Sequence, residues 1–113
     1  MATAYLTRSV HGATRAGSPA GCLSIQAVLA AGHLGPNTCD MLAAWRDDSR
    51  AHLRDRFQRA IDEDDLPAGT DPDTLARYLM TMSNGIAVQA AAGATRDELQ
   101  RVADAALHNW PPA

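Results

Sequence analysis

The chain has 113 residues, 46% of them hydrophobic but only 4% aromatic, and a formal net charge of −3. That length allows one core and one domain, residues 1–113, and a core built from Ala, Leu, Val, Ile and Met favours closely packed helices over a β-sandwich. All ten basic residues are Arg, set against 13 acids, so no overall positive field exists to hold a polyphosphate, and direct nucleic-acid binding by this chain is not expected.

The first segment, Thr3 to Thr14, sets Ala4, Leu6 and Val10 at roughly helical spacing before Ala16, Gly17, Ser18, Pro19 and Gly21 break the pattern. A weak first helix and a loop are expected. Leu23 to Ala31 is too densely apolar to show one face and is closed by Gly32, Gly35 and Pro36, which reads as a short buried second helix. The longest strongly apolar stretch, Cys22 to Ala31, falls far below the ~20 residues needed to cross a bilayer, and no signal-peptide pattern follows Arg8 and Arg15. A cytoplasmic protein with no membrane partner is expected.

A third helix begins with Asn37 as the expected N-cap and Asp40 in the first turn. Leu42, Trp45, Ser49, Leu53, Phe57, Ala60 and Ile61 recur at three- and four-residue steps, with Arg46, Asp47, Arg50, Arg54, Asp55, Arg59 and Asp62 on the other faces. Running to about Asp65, it would be about 43 Å long at ~1.5 Å per residue and act as the spine. Between Arg46 and Asp65, five Arg are interleaved with or followed by seven acids, which describes a solvated face with i,i+3 and i,i+4 pairs rather than a phosphate-binding stripe.

Asp71 before Pro72 supplies an N-cap and a proline at the first position of a fourth helix. Leu75, Tyr78, Leu79, Met82, Ile86 and Ala90 form one stripe there, beside a second of Ala76, Met80, Ser83, Ala87 and Ala91, so this helix must be covered on more than one side. Gly93 is placed to end it, and Thr95 with Glu98 forms a T-x-x-E capping box for the last helix. That helix carries Leu99, Val102, Ala103, Ala106, Leu107 and Trp110 on one face before Pro111 and Pro112. The fold class is therefore all-α with about five helices.

The order of these features resembles the C-terminal domain of TetR-family (AcrR-like) transcriptional regulators over about Ala20 to Leu107. The resemblance is carried by Gly21-Cys22-Leu23, the Leu66-Pro67 loop leading to Thr70-Asp71-Pro72, Gly85 at the centre of the fourth helix, and Ala92-Gly93-Ala94-Thr95 before Glu98-Leu99. It implies a helical effector domain that normally follows an N-terminal helix-turn-helix, with the last two helices pairing across a two-fold axis as a four-helix bundle formed by residues 71–108. The family's DNA-reading helices would precede Tyr5, where only four residues stand, so the chain is expected to lack its own DNA-binding half.

Two adjacent helices with broad apolar faces need another surface, supplied either by a two-fold partner or by the first helix within one protomer. Thr3 to Thr14 is short and weakly patterned, which points to a homodimer with Leu75, Leu79, Ile86, Leu99, Val102 and Ala106 in its interface.

His11, His33, His52 and His108 show neither an HExxH motif nor a His pair on one helix, so no metal site and no cofactor are expected. Cys22 and Cys39 belong to no metal-ligand spacing; Cys39, in the first turn of a helix, is the better redox candidate, while a small buried hydrophobe is the ordinary role of both. No catalytic residue is expected, since no nucleophile motif or phosphate loop is present. A ligand cavity would draw on Trp45, Ser49, His52 and Phe57 of the long helix with Tyr78, Met82, Asn84 and Gln89 of the fourth, or the same residues are plain core. Asn84-Gly85 inside a helix costs roughly 1 kcal/mol, which implies close helix approach or a cavity nearby. The expected function is a non-enzymatic, homodimeric sensor of a small, mostly apolar effector. The alternative is a headless interaction module that heterodimerises with and modulates a full-length regulator.

Overall fold

The computed structural model describes residues 1–15 and 35–112, which fold into four helices, α1 (Ala2–Ala13), α2 (Pro36–Asp62), α3 (Pro72–Ala91) and α4 (Arg96–His108), with no strand among the described residues. The expected second helix, Leu23 to Ala31, and Cys22 lie outside the described residues.

The helix ends follow local chemistry. Asp71 accepts from the backbone N–H groups of Asp73 (3.1 Å) and Thr74 (3.4 Å), and the Thr74 hydroxyl donates to its other oxygen at 2.7 Å. At α4 the capping box is complete: Glu98 N–H donates to Thr95 Oγ1 at 3.2 Å, and Thr95 N–H donates to Glu98 Oε1 at 2.9 Å. Gly93 takes φ +108°, a left-handed conformation that ends α3 and lets Ala94 N–H reach Gln89 O. The start of α2 differs from expectation. The helix opens at Pro36 with Gly35 as N-cap, not Asn37, because proline's fixed φ suits the first helical position and it lacks the N–H that a cap would have to satisfy. It ends at Asp62 rather than near Asp65: Asp64 turns to φ 62°, and Asp65 and Leu66 N–H both fold back onto Ala60 O.

Hydrogen bonds from Thr74 and its amide hold the Asp71 carboxyl below the ordinary carboxylate range, and those from Thr95 do the same for Glu98. Both groups have a lower pKa folded than unfolded, so their stabilisation is full above the unfolded value and is lost as pH falls through the folded one. Helix content at 222 nm is expected to become acid-sensitive below about pH 4. Asp71→Asn, which keeps a capping acceptor, should flatten that dependence together with Glu98→Gln; an unchanged acid profile in the double variant would show that the cap charges contribute nothing.

The core forms where α1 lies across α3 and α4. Leu6 and Val10 are fully buried, and Ala2 and Ala13 nearly so, in one cluster with Leu75, Ala76, Leu79, Ile86, Ala90, Leu99, Ala103 and Ala106. The alanines of α3 and α4 let the helices approach closely, so a helix about 18 Å long is enough to cover both. This corrects the expectation that the first helix is too short for that role. Polar contacts fix its position. Ser9 donates to Tyr5 O and meets the Ser83 hydroxyl of α3 at 2.9 Å, while Arg96 of α4 donates to Thr14 Oγ1 (2.9 Å) and Thr14 O (3.3 Å) at the other end. On the opposite side α2 packs along α3 through Phe57, and Arg50 joins Asp73 in an ion pair that Arg77 extends at 3.5 Å. No helix among the described residues is long and apolar enough to cross a membrane.

Candidate functional site

The last two turns of α2 put Arg56, Phe57, Arg59 and Ala60 on one side of the helix, and the left-handed Asp64 swings Asp65 and Leu66 round to the same end. Trp110, just past α4, and Met1 and Ala2 at the start of α1 border the other sides of a pocket of about 400 Å³ that is open to solvent, with its charged lining residues exposed. That volume lies within the range of small-molecule sites. Phe57 is 2% exposed and forms the apolar floor with Trp110, the ring centroids being 5.7 Å apart and tilted by 41°. Tyr78 of α3 supports Trp110 from the side at 6.1 Å. Arg56 and Arg59 form no ion pair among the described residues, and Glu63 and Asp65 line the same opening.

Of the eight expected ligand residues, Phe57 alone lines this cavity, and Tyr78 reaches it through Trp110. Met82 packs against the core, Asn84 is partly buried, and His52 and Gln89 are exposed. Trp45 is 53% exposed, and the Ser49 hydroxyl returns to Trp45 O at 3.0 Å. The reason is distance along the spine: twelve residues separate Trp45 from Phe57, about 18 Å of helix, which is more than one small cavity spans. A methyl group at Gly85 would meet nothing within 4 Å in the protomer, so no other described helix of the same chain approaches it closely. No group of His, Cys, Asp and Glu able to hold a metal ion occurs among the described residues.

Sequence reasoning missed Trp110, Leu66, Arg56 and Arg59 as lining residues. Trp110 continues the Leu107 stripe of the last helix, a signal that it packs inward, but its meeting with Phe57 depends on how α2 and α4 are arranged in space. Five of the six residues expected at a dimer interface, Leu75, Leu79, Ile86, Leu99 and Ala106, are between 0 and 7% exposed within the protomer. Val102 is 46% exposed, as is Val88 of α3 at 43%; these are the large apolar residues that the last two helices leave to solvent.

Residues 3–106 match the family model described as the tetracyclin repressor-like, C-terminal domain. Two solved structures are similar over 97% of this chain, each with a TM-score of 0.83. Both are cysteine-substituted forms of the TetR family transcriptional regulator CifR complexed with a 26-base-pair operator DNA, at 34% and 33% identity. The chain spans 58% and 57% of those two chains. No curated protein matches.

Proposed function

The chain belongs to the tetracyclin repressor-like C-terminal domain family, and from that premise we propose that it is the ligand-binding and self-associating module of a TetR-type transcriptional regulator. The observation that carries this reading is that the fold shared with both relatives covers 97% of this chain, and that it leaves here an open pocket of about 400 Å³ with an aromatic floor. The module binds and does not catalyse, and its place is the cytoplasm, where its regulator meets DNA. With a net charge of −3, operator contact is assigned to a part of the regulator outside these residues. Ligand would act on that part by binding one of two domain arrangements more tightly than the other.

Self-association is assigned to the outer faces of α3 and α4, through Val88 and Val102, rather than to the stripe that α1 covers. An isologous pair of such faces builds a four-helix seam. Sedimentation velocity is expected to give a dimer for the native chain, and a folded monomer for Val88→Arg with Val102→Arg, with unchanged helix content. A native chain that sediments as a monomer throughout the micromolar range would refute the self-association part of the reading.

A further inference from the structure

We propose that two copies of the chain cross at Gly85, the two-fold axis passing beside this residue and α3 of one copy running antiparallel to α3 of the other, backbone close to backbone. The proposal rests on the self-association reading above and adds the point and the direction of the pairing.

The outer side of α3 is not built for water. From Tyr78 to Thr95 the sequence holds no charged residue. Within that run Thr81, Gly85, Val88 and Ala92 are all exposed and fall on one stripe, opposite the side that buries Leu79, Ile86 and Ala90 in the core. A helix face left to solvent normally carries charges, as α2 does in this same chain. At the middle of the stripe, Gly85 gives up helix propensity at an interior position. The protomer offers nothing in return: Gly85 lies within the helix without the positive φ that Gly93 takes, and a methyl group on it would meet nothing within 4 Å. A glycine that its own chain needs neither for conformation nor for space makes room for another chain. With no Cβ at the crossing, two helix axes can come closer than the usual ~8–10 Å, and Val88 of each copy packs beside the glycine.

The stripe fits a second copy in particular because it is complementary to itself about this point. Arg77 and Gly93 stand eight residues before and eight residues after Gly85, about 12 Å each way at ~1.5 Å per residue. Antiparallel pairing centred on Gly85 therefore brings Arg77 of each copy to the C-terminal end of α3 in the other. That end is the negative pole of the helix dipole and has no basic residue in its last turn. The Arg77 side chain is free to serve it, being 65% exposed and in contact with Asp73 at 3.5 Å. A parallel pair would instead set the two Arg77 side chains against each other, and a crossing one turn away would carry them past the helix end or short of it.

The test uses the whole chain. Sedimentation equilibrium is expected to show the dimer dissociation constant raised about tenfold or more by Gly85→Ala, and Gly85→Leu monomeric throughout the micromolar range. In the monomeric background of Val88→Arg with Val102→Arg, Gly85→Ala should have the opposite effect and raise the melting temperature by a few degrees, since alanine is the better helix former and the protomer has room for it. The register is read by cysteine cross-linking in a chain that carries Cys22→Ser and Cys39→Ser, with diamide taking up the two electrons and two protons of each thiol pair. Gly85→Cys should couple rapidly into a disulfide-linked dimer, because a residue on the axis meets its own copy. Gln89→Cys, whose two copies would stand about 12 Å apart, should stay unlinked. A native chain that is monomeric throughout would sink the self-association reading and this proposal together. A native dimer that survives Gly85→Leu, or that cross-links through Gln89→Cys as fast as through Gly85→Cys, overturns the crossing at Gly85 and leaves self-association standing.

Discussion

Leu79→Arg is expected to unfold the protomer, not to release a folded monomer from a dimer. Leu79 is fully buried in the cluster that α1 builds with α3 and α4, and no buried polar or charged group stands among the described residues to receive a guanidinium. An arginine there must bury an unpaired charge or push α1 away, at a cost of several kcal/mol. Domains of this size hold only about 5–15 kcal/mol in total. Far-UV circular dichroism and thermal melting should show lost helix content or a collapsed transition. A native-like melt with monomeric sedimentation would instead mean that Leu79 meets a partner chain and that α1 does not seal it. Val102→Arg is the control: at 46% exposure the same side chain keeps its charge in water and the fold intact.

Phe57→Ala, which truncates the α2 member of the same cluster, is expected to be the second strongly damaging change. The ring is 2% exposed and is the one residue of α2 that is buried, so its truncation removes the main apolar tie between the spine and the rest of the bundle. Phe→Ala in a core costs about 3–5 kcal/mol, of which the tilted contact with Trp110 supplies about 0.5–1.5. Urea unfolding followed at 222 nm should show the midpoint fall accordingly, and Trp110 emission should shift to the red in the folded baseline. Trp45→Ala, at a 53% exposed position on the same helix, should move the midpoint by well under 1 kcal/mol. Equal losses from the two changes would mean that α2 is anchored along its whole length and not at Phe57.

Features decided within a few residues of chain could be read in advance. Asp71 before Pro72, Thr95 with Glu98, and Gly93 each settle a helix end through bonds that span at most five positions, and each does so in the structure. Even the misplaced start of α2 is a competition between neighbours, Asn37 and Pro36, that the proline wins. Harder to read was anything decided across the bundle. Leu6 and Val10 form a modest stripe in sequence, and their importance appears only when Ala76 and Ala103 are seen to let α1 close in. The same holds for the cavity. Phe57 and Trp110 are 53 positions apart, and the stretch of α2 that looked richest in ligand-like side chains, around Trp45, Ser49 and His52, turned out to lie too far along the spine to join them.

The bonds from Arg96 to Thr14 tie two ends of the fold that are 82 positions apart in sequence. A ribosome delivers α1 first and its partners last. At about 5–20 residues per second, roughly 4 to 16 seconds pass between Thr14 and Arg96, and in that interval Leu6 and Val10 can pack only against α3. The core is therefore completed, and the start of the chain locked to its end, only in the final step of synthesis.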